Sequence, residues 1–124
     1  MEGKKVMIFE DDDFLRSLVV TKLQKESLLV TTNVDGANAL ASVKAEKPDI
    51  ILLDLMLPAA SGFDILKELR NDAEAKDIKV IIFSNLGDEE DITKGNELGA
   101  TDYLVKSNFT LDELVEKLKV SLGV

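Results

Sequence analysis

The chain has 124 residues, a formal net charge of −9 at pH 7, and neither cysteine nor histidine. That length suits a single domain, residues 1–124, with a core large enough to need no covalent staple. Disulfides, thiolate or imidazole metal sites, and Ser-His or Cys-His nucleophilic chemistry are excluded. The acidic balance offers no basic footprint for nucleic acid or an anionic membrane surface. The longest apolar runs, Ile50–Leu53 and Val80–Phe83, are too short to cross a bilayer, and no signal-like segment follows Lys4–Lys5. The expectation is a soluble, cytoplasmic domain with no direct nucleic-acid or membrane contact.

Two kinds of segment alternate along the chain. Val6–Phe9 is an unbroken apolar run, suited to a strand buried on both faces of a parallel sheet. Leu15, Leu18, Val19 and Leu23 then recur at helical spacing. Leu28–Thr32 is a weaker strand, nearer an edge, and Ala37, Leu40 and Ala41 mark a second helix closed by Pro48. Asp49–Leu53 is another buried strand, after which Ser61 is placed to cap a helix through Phe63, Leu66 and Leu69. Lys79–Phe83 repeats the buried-strand pattern. Asp88–Leu98 predicts a marginal helix with a thin apolar stripe, in which Gly95 costs about 1 kcal/mol relative to alanine. Thr101–Val105 is a second edge strand. Thr110 and Glu113 form a capping box that opens a helix through Leu111, Leu114, Val115, Leu118 and Leu122. Five β-α units in this order predict an α/β fold: a doubly wound, five-stranded parallel sheet with right-handed crossovers and helices on both faces.

In such sheets, sites lie beyond the carboxyl ends of the strands. The first strand runs into Glu10, Asp11, Asp12 and Asp13, and the central one into Asp54; the next ends at Ser84–Asn85 and the last at Lys106–Ser107. Clustered carboxylates repel one another unless a hard divalent cation neutralises them, and Mg²⁺ suits an all-oxygen donor set. A carboxylate beside Mg²⁺ is a nucleophile for phosphorus, while a hydroxyl and an ammonium hold the remaining phosphoryl oxygens. Each residue alone has a plainer reading. The Glu10–Asp13 run also suits a helix cap supplied by Asp12 or Asp13, Ser84 a turn, Lys106 a solvated cation and Tyr103 an edge-strand aromatic. Asp54, after four apolar residues, needs a partner for its charge.

The joined motifs are Phe9-Glu10-Asp11-Asp12, Pro48 through Pro58 with Ser61-Gly62, Val80 through Ser84, and Gly99 through Lys106. Together they resemble the response-regulator receiver family over essentially the whole chain. The resemblance implies the flavodoxin-like strand order 2-1-3-4-5 and a two-component signalling switch rather than a turnover enzyme. On that basis Asp54 is the phospho-acceptor, taking its phosphoryl group from a phosphohistidine donor. Glu10, Asp11, Asp54 and the backbone carbonyl of Met56 hold Mg²⁺. Ser84 is the switch hydroxyl, Tyr103 the switch aromatic, and Lys106 pairs with the phosphoryl group. Gly62 opens the third helix. The implied partners are a sensor histidine kinase or phosphotransfer protein and a separate downstream protein, engaged through the fourth helix, last strand and last helix.

Two departures bear on the site loops. Ser107 stands where the family usually has proline, so the Lys106–Ser107 bond is expected to be trans, since a non-proline cis bond costs about 3–4 kcal/mol. Asn85 is larger than the family's usual small residue and narrows the approach to Asp54. Met56 and Leu86, at positions that tune phosphoryl lifetime in the family, cannot hold a water for in-line attack. The resulting expectation is slow self-dephosphorylation. Three rivals stay open: a phosphohydrolase, disfavoured because a second acid would be needed where Met56 stands; a flavin binder, disfavoured by the acidic first loop; and a docking module independent of phosphorylation.

Overall fold

A computed structural model describes residues 2–124. The strands are β1 (Lys5–Phe9), β2 (Leu29–Asn33), β3 (Ile50–Leu53), β4 (Lys79–Ser84) and β5 (Asp102–Val105). The helices are α1 (Asp13–Lys25), α2 (Ala39–Glu46), α3 (Gly62–Arg70), α4 (Glu89–Glu97) and α5 (Leu111–Leu122), with a 3-10 turn at Lys106–Asn108. All pairings are parallel and the sheet order is β2-β1-β3-β4-β5, the flavodoxin-like arrangement. The weakly apolar strands β2 and β5 are the two edges.

Alternation along the central strands divides the core in two. Val6, Ile8, Ile50, Leu52, Ile81 and Phe83 pack with Val19 and Leu23 of α1 and Leu114, Val115 and Leu118 of α5. Met7, Phe9, Ile51, Leu53, Val80 and Ile82 pack with Val43 of α2 and Ile65, Leu66 and Leu69 of α3. Each such side chain, fully buried, contributes about 1.5–3 kcal/mol relative to exposure. The continuous apolar runs are required because both faces of these strands are covered.

Helix ends follow the side chains that cap them. Asp12 accepts from Leu15 N at 2.9 Å and Ser61 from Phe63 N at 3.2 Å, and Thr110 and Glu113 complete their capping box. Asp12, not Asp13, is therefore the α1 cap. The second helix begins later than its apolar spacing implies: Ala37 lies before it, Asn38 is left-handed at φ 52°, and Lys47 closes it in the same conformation at φ 50°. Leu18 does not join the core either. It is 42% exposed beside Phe14 at 75%, so the apolar residues of α1 face two ways.

A further constraint lies at the end of the sheet opposite the strand carboxyl ends. Arg70, the last residue of α3, donates from Nε to Gly99 O at 3.0 Å and from Nη1 to Lys76 O at 3.1 Å and Ile78 O at 2.8 Å. Burial lowers the pKa of this guanidinium, partly offset by Asp77. It ties the segment before β4 and the turn after α4 to one point.

Helix α4 forms despite its thin apolar stripe, and Gly95 is its buried residue. A Cβ there would stand 2.7 Å from Ile82 Cδ1 and 3.0 Å from the Tyr103 ring. The glycine that weakens the helix locally is thus what lets α4 lie close against β4 and β5. Propensity alone gives Gly95→Ala a gain of about 1 kcal/mol. We expect overpacking to reverse this into a net loss of roughly 1–3 kcal/mol, read as a lower urea midpoint; a raised midpoint would show that α4 shifts away at no cost.

Candidate functional site

The parallel ladder carries Glu10 and Asp54 to the same level. Beyond the strand ends, Asp54 N donates to Phe9 O at 3.1 Å and Glu10 N to Asn33 O at 3.2 Å. Both side chains are buried, Glu10 at 3% and Asp54 at 5% exposure. Glu10 is fixed further by Asp12 N on Oε2 at 3.2 Å, and Arg16 Nη1 donates to its carbonyl at 3.0 Å. Carboxylate oxygens of Glu10, Asp11 and Asp54 lie within 4.8 Å of one another, with Asp11 on the exposed side. This all-oxygen set fits a hard divalent cation.

Lys106 reaches in from the end of β5. Its Nζ stands 2.6 Å from Glu10 Oε1 and 3.0 Å from Asp54 Oδ2. The other Asp54 oxygen accepts from Met56 N at 3.2 Å. Burial alone would lower the Lys106 pKa, but the hydrogen bonds to Glu10 and Asp54 outweigh it and hold the ammonium above its ordinary value. Burial pushes the Glu10 carboxyl up, with the Lys106 bond opposing. The acids are therefore not left to repel one another: an internal cation already bridges the two buried ones.

The loop after Asp54 doubles back, pairing Met56 with Ser61, and Gly62 N donates to Leu55 O at 3.0 Å. A Cβ on Gly62 would lie 2.4 Å from Asp54 O and 2.7 Å from Leu55 Cα, so this return needs glycine. The Met56 side chain is 60% exposed on the rim. The Lys106–Ser107 peptide is trans, as Ser107 implies.

Ser84 ends β4 fully buried, and its Oγ accepts from Leu86 N at 3.3 Å. Tyr103 donates from its hydroxyl to Leu86 O at 2.5 Å. The hydroxyl and the aromatic ring thus meet at one residue, Leu86, through its N–H and its C=O. Asn85 is exposed, and the Leu86 side chain is partly buried against the core under α2, α3 and α4. Sequence spacing gave no hint that the Leu86 backbone joins the two, nor that Arg16 braces Glu10, because neither contact depends on residue type at a fixed interval.

A sheet in this order with carboxylates, a buried hydroxyl and a lysine at its carboxyl ends defines a flavodoxin-like α/β protein of the phosphoryl-switch type. The comparisons carry this to a family: residues 6–119 match the model of the response regulator receiver domain, and the chain belongs to that family. Accepting a phosphoryl group is the typical role of these domains in two-component response regulators. Among relatives, the probable transcriptional regulator ycf27 of Guillardia theta is 36% identical over 119 residues, covering 96% of this chain and 45% of the relative. The chain spans about half the length of the curated relatives it matches. The BeF3-activated receiver domain of Klebsiella pneumoniae RstA superposes with a TM-score of 0.89 at 28% identity, covering 96% of this chain and 98% of that one. The receiver domain of a Pseudomonas aeruginosa sensor histidine kinase, with magnesium coordinated in its active-site cleft, gives 0.88 at 25% identity, covering 98% and 99%.

Tyr103 is the sole tyrosine, which makes its environment measurable. Burial, then the nearby charges of Asp91, Asp54 and Asp88, push its hydroxyl up to about 12 from 10.0. A raised value favours the protonated donor. The stability it lends is complete below its unfolded value and is lost as pH climbs toward the folded one. Absorbance titration should place tyrosinate formation near 12 in the folded protein and near 10 in urea; equal midpoints would show the hydroxyl free in solvent.

Proposed function

We propose that Asp54 accepts a phosphoryl group and that this shifts the face formed by α4, β5 and α5. The observation that carries the reading is a buried carboxylate held 3.0 Å from Lys106 and within 4.8 Å of Glu10 and Asp11. An Asp54 oxygen attacks phosphorus in line, and the phosphorus–nitrogen bond to the donor imidazole breaks. The electron pair leaves with that nitrogen, which then takes up a proton. Glu10, Asp11, Asp54 and the Met56 carbonyl would hold Mg²⁺, which supplies charge neutralisation at the phosphoryl oxygens. Lys106 gives up part of its contact with the acids and pairs with one phosphoryl oxygen.

Ser84 offers a second hydrogen bond to the phosphoryl group. Turning toward it, the hydroxyl releases the Leu86 N–H, and the Leu86 carbonyl that holds Tyr103 moves with the same residue. The coupling of Ser84 to Tyr103 therefore runs through the loop before α4. The protein catalyses only its own phosphorylation and dephosphorylation. Nothing acidic occupies position 56 to protonate the leaving group of an external phosphoester.

The phosphodonor is a sensor histidine kinase or phosphotransfer protein, and exposed Phe14 and Leu18 on α1 give it an apolar contact close to the site. A downstream protein reads the switched face. The expected absence of nucleic-acid contact is not carried over: the net charge of −9 offers these residues no basic footprint, but the relatives include a DNA-binding transcriptional regulator, RpaA of Synechocystis. No helix among the described residues is long and apolar enough to cross a membrane; the cytoplasm, where phosphohistidine donors act, is the proposed location.

Two experiments test the reading. Intact mass after incubation with acetyl phosphate and Mg²⁺ should rise by one phosphoryl group in the wild type and stay unchanged in Asp54→Asn. Undiminished labelling of the variant would overturn the assignment. The lifetime of the labelled form should be long, because Met56 cannot position an attacking water. Met56→Asn on the exposed rim should shorten it several-fold, roughly the scale of one added polar contact to water; equal decay would remove Met56 from the rate-setting groups.

A further inference from the structure

The chain contains no cysteine, histidine or tryptophan, so methionine is the side chain most open to a two-electron oxidant such as hydrogen peroxide. Two methionines lie among the described residues, and the fold treats them oppositely. Met7, in β1, is 2% exposed and packs in the core with Phe9 and Leu53. Met56 is 60% exposed. A peroxide molecule must touch the thioether to oxidise it, so the packed interior shields Met7 and the reaction is directed to Met56.

Met56 also stands where such a change reaches the site. Its N–H donates to Asp54 Oδ1 at 3.2 Å, and its pairing with Ser61 fixes the loop that doubles back past the carboxylate. The residue is thus tied to Asp54 while its side chain meets solvent. As a thioether, that side chain gives an approaching water only a weak acceptor. As a sulfoxide, it carries a polar oxygen that accepts a strong hydrogen bond. We propose that Met56 is an oxidation site, and that its sulfoxide shortens the life of the phosphoryl group on Asp54 and makes the switch sensitive to peroxide. The inference deepens, and rests on, the reading of Asp54 as the phospho-acceptor.

Both steps balance. The Met56 Sδ lone pair attacks one oxygen of hydrogen peroxide; a sulfur–oxygen bond forms as the oxygen–oxygen bond breaks. The departing hydroxide takes the proton left on the new oxygen, giving water, so sulfur is oxidised by two electrons and the peroxide reduced. A water held by the sulfoxide oxygen then attacks phosphorus in line. The bond from phosphorus to the Asp54 oxygen breaks, its electron pair stays with the carboxylate, and inorganic phosphate leaves with the water's oxygen. Sulfoxide reductases return the thioether at the expense of a thiol, so the change is reversible.

The protein is treated with hydrogen peroxide, freed of it, and divided for peptide mass mapping and for labelling with acetyl phosphate and Mg²⁺. We expect the peptide carrying Met56 to gain one oxygen while that carrying Met7 stays unmodified, and the label to decay several-fold faster than on untreated protein. Treatment of the oxidised protein with a methionine sulfoxide reductase and a thiol should restore slow decay. Met56→Leu removes the thioether and keeps an apolar side chain, so its decay should be the same with and without peroxide. Shortening of the lifetime in Met56→Leu as well would place the effect elsewhere and overturn the proposal. Oxidation of Met7 ahead of Met56 would overturn it equally. An untreated wild type that takes no label would overturn the acceptor assignment and this inference with it, whereas labelling with equal lifetimes before and after oxygen gain at Met56 overturns the inference alone.

Discussion

The Lys106 ammonium, shared between Glu10 and Asp54, is the contact on which the strand ends depend. Moving an isolated carboxylate out of water costs several kcal/mol even after relaxation. Two of them lie here side by side, each less than one-tenth exposed. Without a cation between them the parallel ladder that continues past β1 and β3 would bring like charges together at its most buried point. Lys106 makes that arrangement tolerable by hydrogen bonding as well as by charge. The same dependence makes the site responsive, because anything that competes for Lys106 or replaces it redistributes the charge on both acids at once.

A second junction, at Leu86, joins the site to the surface. Ser84 and Tyr103 sit on neighbouring strands, yet neither needs to touch the other for their positions to be linked. One residue's N–H and C=O serve them both. Gly95 lets the ring and the fourth helix approach on the other side, so ring, loop and helix occupy a region in which one part cannot move far alone.

Much of this was legible in the sequence, and for identifiable reasons. Runs such as Ile50–Leu53 report burial on two faces, and the alternation with helical segments dictates a parallel sheet. Glu10, Asp54 and Lys106 were readable as a group because strand ends converge in such a sheet. The boundaries of α2 were not, because Asn38 and Lys47 adopt left-handed conformations that residue type alone does not require. Leu18 fits the helical spacing but points away from the core, since spacing gives a stripe without its width. Gly95 was read through helix propensity, which is local, whereas its role is set by Ile82 and Tyr103, brought near only by the fold. The Leu86 junction is made by backbone atoms, which every residue possesses, so nothing in the sequence could mark it.

Arg70 has a mechanical consequence. By holding Gly99 together with Lys76 and Ile78, it pins the far end of α4, while Asp88 at the near end makes no side-chain capping bond. A rod fixed at one end turns rather than slides. At 1.5 Å per residue α4 is about 13 Å long, so a tilt of about 10° moves its free end by roughly 2 Å and its anchored end hardly at all. The fulcrum lies at the opposite end of the strands from the carboxylates, which gives a small rearrangement at Leu86 the longest available lever arm.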